Sequence, residues 1–189
     1  MENGTNMNKI LLISGKRKSG KDYVSEKLIE RIGTDKCSIL RISEPLKNHF
    51  AQKHNLDLHE LMSDNKYKEN YRLQMILWSD EVRSTDPGYF CRAACNNGDP
   101  KLYWIVSDIR RKSDIKWFKE TYGDQIRTIR ISASEETRTA RGYIFTTGID
   151  DGISELDLDD YYDWDLSVTN NNTEEFNKAV QDILNLMDA

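Results

Sequence analysis

Gly15, Gly20 and Lys21 stand in the pattern G-x-x-x-x-G-K within the stretch GKRKSGKD. This is the spacing of a loop that wraps a polyphosphate. Glycine lets successive backbone N–H groups turn inward on an anion. Lys21 then reaches the terminal phosphates of a nucleotide, and the following helix points its positive end at the same charge. The whole loop, Gly15 to Asp22 with Ser19 inside it, is therefore the expected ATP contact. Lys16, Arg17 and Lys18 make it more cationic than the motif requires. Such charge suits a site where two phosphorylated groups meet and are held against their repulsion. After the lysine, where a hydroxyl normally touches the metal, the chain has Asp22. We expect Asp22 to handle Mg²⁺, directly or through water. The alternative is a helix-start acid favoured by the macrodipole.

A second group follows the apolar run LYWIVS. Asp108 sits where a strand should end, the usual place for a metal-water ligand beside a phosphate loop. Arg110 and Arg111 come next, placed to bind an acceptor or to stabilise transition-state charge. Arg138 and Arg141 lie where a lid could bring them onto ATP. Lys68, Arg72 and Arg83 lie off the apolar stripe of a long helix, and by pattern alone they belong to a solvated face. His49, His54 and His59 make no nucleophile–histidine–acid pattern. Cys91 and Cys95, four apart on a helix, suit packing better than redox or metal chemistry.

The elements that position these residues follow from periodicity. Ile10 to Ile13 is a short apolar run before the loop, and Val24, Leu28 and Ile32 follow at helical spacing. CSILRI, residues 37–42, predicts a second strand. Ser43-Glu44-Pro45 starts a helix with Leu46 and Phe50 inward. Residues 57–62 predict a short helix. A long helix from about 66 to 83 carries Tyr71, Met75, Trp78 and Val82 as its stripe. LYWIVS is nearly all apolar, as a central parallel strand should be. IRTIRIS, residues 126–132, predicts a fourth strand, and Ser134 caps the helix after it. Residues 142–163 are irregular and acidic, which suits a mobile cover over the site or an ordinary surface loop. A short strand at 166–169 and a helix bearing Phe176, Val180, Leu184 and Met187 complete the chain. Strands alternating with helices predict an α/β fold with a five-stranded parallel sheet, its strand order left open.

At 189 residues the chain suits one domain, 1–189, with a loose tail at 1–8 and a lid at about 138–163. No apolar run approaches the roughly 20 residues of a membrane span, and the N-terminus lacks the pattern of a secretory signal. The three cysteines have no zinc-like spacing, so reduced thiols in the cytosol are expected. The net charge is −5, yet the cations cluster. That pattern fits a binder of small anions and argues against nucleic acid as a partner.

Five segments, GKRKSGKD at 15–22, SEPLK at 43–47, DPGYFCR at 86–92, VSDIRR at 106–111 and RGYIFTTGIDD at 141–151, resemble animal-type phosphomevalonate kinase. The resemblance runs from about residue 9 to the end and sets the chain apart from the GHMP-fold enzymes of fungi and plants. It implies a three-layer P-loop kinase fold with a lid. It implies direct transfer from ATP, with Mg²⁺, to (R)-5-phosphomevalonate in isoprenoid and sterol synthesis, with a monomer as the default. Lys16, Arg17, Lys18, Lys21 and Asp22 match the family's loop residues for ATP and catalysis, and Lys16 also faces the acceptor. Arg110 and Arg111 match its paired arginines, and Arg141 a lid arginine for ATP. Lys68, Arg72, Arg83 and Arg92 match basic acceptor positions. Asn170 matches a substrate position. Asn171 lies beside the nucleotide, where the family often has histidine. The residues by themselves reach a P-loop kinase of a small phosphorylated acceptor. A nucleoside monophosphate kinase and a non-enzymatic nucleotide switch are the competing readings.

Overall fold

The computed structural model describes residues 9–63 and 66–188; the tail expected at 1–8 lies outside them. Strand β1 (Lys9–Ser14) is buried along almost its whole length. It pairs in parallel with β3 (Tyr103–Ile109) on one side and β4 (Ile126–Ser132) on the other. A strand covered on both faces must be apolar at successive positions, which explains the runs ILLI and WIV. Strands β2 (Cys37–Leu40) and β5 (Leu166–Thr169) form the edges, giving the order β2-β3-β1-β4-β5. The chain leaves β1 for one edge and returns through β3 to the other side. The crevice at the carboxyl ends of β1 and β3 is therefore the topological switch point, where ligands bind.

Alternate residues of β1 serve opposite layers. Leu11 and Ile13 pack with Val24 and Leu28 of α1 (Lys21–Ile32) and with Phe176, Val180 and Ile183 of α9 (Thr173–Asp188). Ile10 and Leu12 face Phe90 of α5 (Tyr89–Asn96) and Ile115 and Phe118 of α6 (Lys112–Tyr122). A smaller cluster, Phe50, Ala51, Leu61 and Met75, joins α2 (Ser43–His54), α3 (Leu58–Met62) and α4 (Lys66–Thr85) into a wall beside the crevice.

Several boundaries move from expectation. Strand β2 stops at Leu40, two residues early, because the Ile42 and Ser43 amides bond to Asp108 instead of a strand. Strand β3 runs on to Ile109, so Asp108 lies within its end. After α7 (Glu135–Ala140), the irregular segment contains one short helix, α8 (Ile153–Leu156).

Candidate active site

The phosphate loop is a tight turn. The Ser19 amide donates to the Lys16 carbonyl at 3.1 Å, and the Val24 amide to the Gly20 carbonyl at 3.0 Å. Gly20 has φ 86, a conformation that a side chain strains. A Cβ there would also lie 2.3 Å from the Asn170 amide nitrogen. That nitrogen donates to the Ser19 carbonyl at 2.9 Å. Arg141 completes the brace, donating to the carbonyls of Asn170 at 2.7 Å and Ser19 at 3.2 Å. Among the described residues no side chain caps the start of α1, so its first amides could serve an anion.

Lys21 is buried, its Nζ 3.3 Å from Asp22 Oδ2. Burial, and then the positive charge of Arg110, holds its pKa below the ordinary lysine value. A phosphate arriving here would relieve that repulsion. Lys21 and Asp22 open onto a cleft of 510 Å³. Asp108, Arg110 and Arg111 line it from the end of β3, and Lys68, Arg72 and Arg83 from α4.

One buried carboxylate sets the arginine turn. Asp114, with no exposed surface, accepts the amides of Arg110 at 3.3 Å and Arg111 at 3.1 Å through Oδ2. Its Oδ1 takes the Arg83 guanidinium. Asp114 thereby ties helix α4 to the turn that carries the arginine pair. Arg111 bonds Asp80 through one terminal nitrogen, while the other is buried without a partner among the described residues. A buried donor left unmade is costly, and that nitrogen could take a ligand oxygen.

The acidic segment lies over these cations. Asp150 pairs with Arg17 at 2.7 Å, and Asp159 with Lys16 at 2.6 Å and Arg130 at 3.1 Å. Glu155 takes the Arg110 guanidinium through Oε1 and the Arg17 amide, at 3.3 Å, through Oε2. Arg138 stacks 4.3 Å from the centre of the Tyr143 ring and donates to the Arg17 carbonyl at 3.5 Å.

A phosphomevalonate kinase family profile matches residues 13–124. The phosphomevalonate kinase of Drosophila melanogaster is 53% identical over 182 residues, covering 94% of this chain and 95% of that protein. The chain belongs to the phosphomevalonate kinase family. Solved structures agree on the fold. A gluconokinase from Sinorhizobium meliloti 1021 aligns with a TM-score of 0.50 at 12% identity, covering 97% of this chain and 95% of that one. The Mycobacterium tuberculosis APS kinase CysC, in complex with AMPPNP and APS, gives 0.50 at 13% identity, covering 97% and 99%. At such identity the likeness speaks for the P-loop kinase fold alone.

Within this member of the phosphomevalonate kinase family, eight of the expected site residues converge. Lys21, Asp22, Lys68, Arg72, Arg83, Asp108, Arg110 and Arg111 share the cleft. The solvated face expected for Lys68, Arg72 and Arg83 is corrected, since α4 turns them toward the crevice. Arg138, Arg141 and Asn170 brace the phosphate loop from behind. Asn171 accepts from the Ser134 amide at 2.7 Å and donates to Glu175 at 2.9 Å. Arg92 does not line the cleft and pairs with Asp86 instead. Asp108 spends both oxygens on the Ile42 and Ser43 amides, at 2.7 and 2.9 Å, so its evident work is to pin the start of α2. The sequence reading overlooked Asp114, Glu155 and Arg41. Arg41 alone carried a signal, a cation near the carboxyl end of the predicted second strand.

Proposed function

We propose that the chain transfers the γ-phosphoryl group of ATP to (R)-5-phosphomevalonate, giving ADP and (R)-5-diphosphomevalonate. The observation that carries this is one continuous cleft. Lys21 of the phosphate loop opens onto the same space as Arg110, Arg111 and the cations of α4. Two polyanions can meet there with their charge neutralised, which is most of what phosphoryl transfer asks of a protein. The family supplies the acceptor's identity.

Lys21 would hold the β- and γ-phosphates, with Gly15 to Ser19 turning amides and cations toward them. Arg110, beside Lys21, would sit over the transferring group, with Lys18 adding charge from the loop. Arg111, Arg83, Arg72 and Lys68 would hold the acceptor's phosphate, and Lys16 would bridge the two sides. An oxygen of that phosphate attacks the γ-phosphorus. The bond to the β–γ bridging oxygen breaks, and ADP carries the electron pair away. A new P–O–P bond is left on the acceptor. Asp22, 60% exposed and facing the cleft, is a hard oxygen donor suited to Mg²⁺. Among the described residues no cluster of three metal-binding side chains occurs, and a nucleotide-borne Mg²⁺ needs only one or two carboxylates. When bound, Mg²⁺ would neutralise charge on the phosphate oxygens. Residues 138–163 act as the lid, with Arg138 and Arg141 at its base. The three cysteines, all free, suit the cytosol.

Phosphorus NMR of the product tests the transfer. Label from the ATP γ-position should appear in a diphosphate ester on the acceptor. Label recovered only as inorganic phosphate would mean hydrolysis and would favour the nucleotide-switch reading.

A further inference from the structure

We infer that Arg41 is the carboxylate-binding and specificity-determining residue for the far end of the acceptor. This rests on the proposed phosphomevalonate reading and names how the same cleft would distinguish that acceptor from other phosphate esters.

Four other arginines line the cleft, and each already has a carboxylate. Arg72 pairs with Glu69, Arg83 with Asp114, Arg110 with Glu155 and Arg111 with Asp80. Arg41 also lines the cleft, half-buried, yet its guanidinium has no hydrogen bond or ion pair among the described residues. Its backbone is nevertheless fixed. The Arg41 carbonyl accepts the Glu44 amide at 3.1 Å, and the next two amides are held by Asp108. A planar five-donor fork on an anchored backbone, open to a cleft, is built for a carboxylate or phosphate.

The sheet order decides which anion. Along the carboxyl edge, Lys21 follows β1, Arg110 and Arg111 follow β3, and Arg41 follows β2. Arg41 is thus one strand further from the nucleotide than the arginine pair. The acceptor's phosphate must lie beside Lys21 and Arg110, so Arg41 faces its other end. In phosphomevalonate that end is a carboxylate. Ile42, Leu46, Met75 and Ile76 line the same cleft and offer an apolar surface for the methyl group and methylenes between the two charges.

The test compares Arg41→Gln and Arg41→Lys with the unaltered enzyme on two acceptors, phosphomevalonate and its primary amide. Arg41→Gln should raise KM for phosphomevalonate about 10- to 100-fold, the range for a lost hydrogen bond to a charged group. The kcat and the KM for ATP should stay within about twofold, as for uniform binding. Arg41→Lys should recover part of the loss. On the amide, Arg41→Gln should cost little beyond what the unaltered enzyme already loses. An equal penalty on both acceptors, or an effect on ATP alone, would overturn the assignment. Circular dichroism confirms the fold of each variant. No turnover of phosphomevalonate by the unaltered enzyme would instead reject the proposed function, which keeps the two failures distinct.

Discussion

Glu155 and Arg110 are joined by an ion pair in which the carboxylate is the more buried partner, 8% exposed against 26%. The second oxygen of Glu155 accepts the backbone N–H of Arg17 in the phosphate loop. Under the proposed function, that loop amide and the leading arginine of the 110–111 turn would serve the transferring phosphoryl group, and Glu155 would hold its place. Asp150 and Asp159 likewise give counter-charge to Arg17, Lys16 and Arg130.

Under the proposed function, substrate would displace the Glu155 carboxylate. Glu155→Gln should lower KM for phosphomevalonate by roughly fivefold, the scale of a partly exposed ion pair. Steady-state kinetics with saturating ATP measures it. A raised KM would show that Glu155 helps hold the acceptor.

Lys21→Met keeps the length of the side chain and removes its charge. It should cut kcat by about 100-fold or more, as for a preorganised electrostatic contact, with the thermal midpoint preserved. The ammonium is already penalised by burial and by Arg110, so removing it does not harm the fold. Near-normal turnover by the folded variant would reject the phosphate-loop assignment.

Arg110→Ala should reduce kcat or acceptor affinity by about 100-fold and leave the KM for ATP little changed. Weakened ATP binding alone would move the 110–111 turn to the nucleotide side.

The thiols give a prediction about pH. Burial pushes Cys37 from an ordinary 9.0 up to about 12 and Cys95 up to about 11. A raised folded pKa means that the unfolded chain ionises first. The stability these thiols contribute is therefore complete below about pH 9 and is lost as the pH rises through the folded values. Denaturant unfolding between pH 8 and 12 should show that decline, and Cys37→Ala should flatten part of it. Rising stability across that range would contradict the burial.

The fold and the phosphate loop were legible in the sequence because their signals are local. The run ILLI, the glycines of the loop and the stripe of α4 each declare themselves within a few residues. The strand order was not, since it depends on which layers pack. The partners of the cations were hidden for the same reason. Glu155 is 45 residues from Arg110, and Asp114 is 31 from Arg83. Nothing in an acidic stretch says which guanidinium it will meet. Asp108, expected just after the strand, lies in its last residues. Its carboxylate went to the amides after β2 because a chain turning from an edge strand into a helix leaves those donors unpaired.

Coupled ADP release with Mg·ATP, comparing phosphomevalonate with a panel of nucleoside monophosphates, tests the central claim most directly. Saturable turnover with phosphomevalonate alone is the predicted result. Turnover with a nucleoside monophosphate in its place would contradict it.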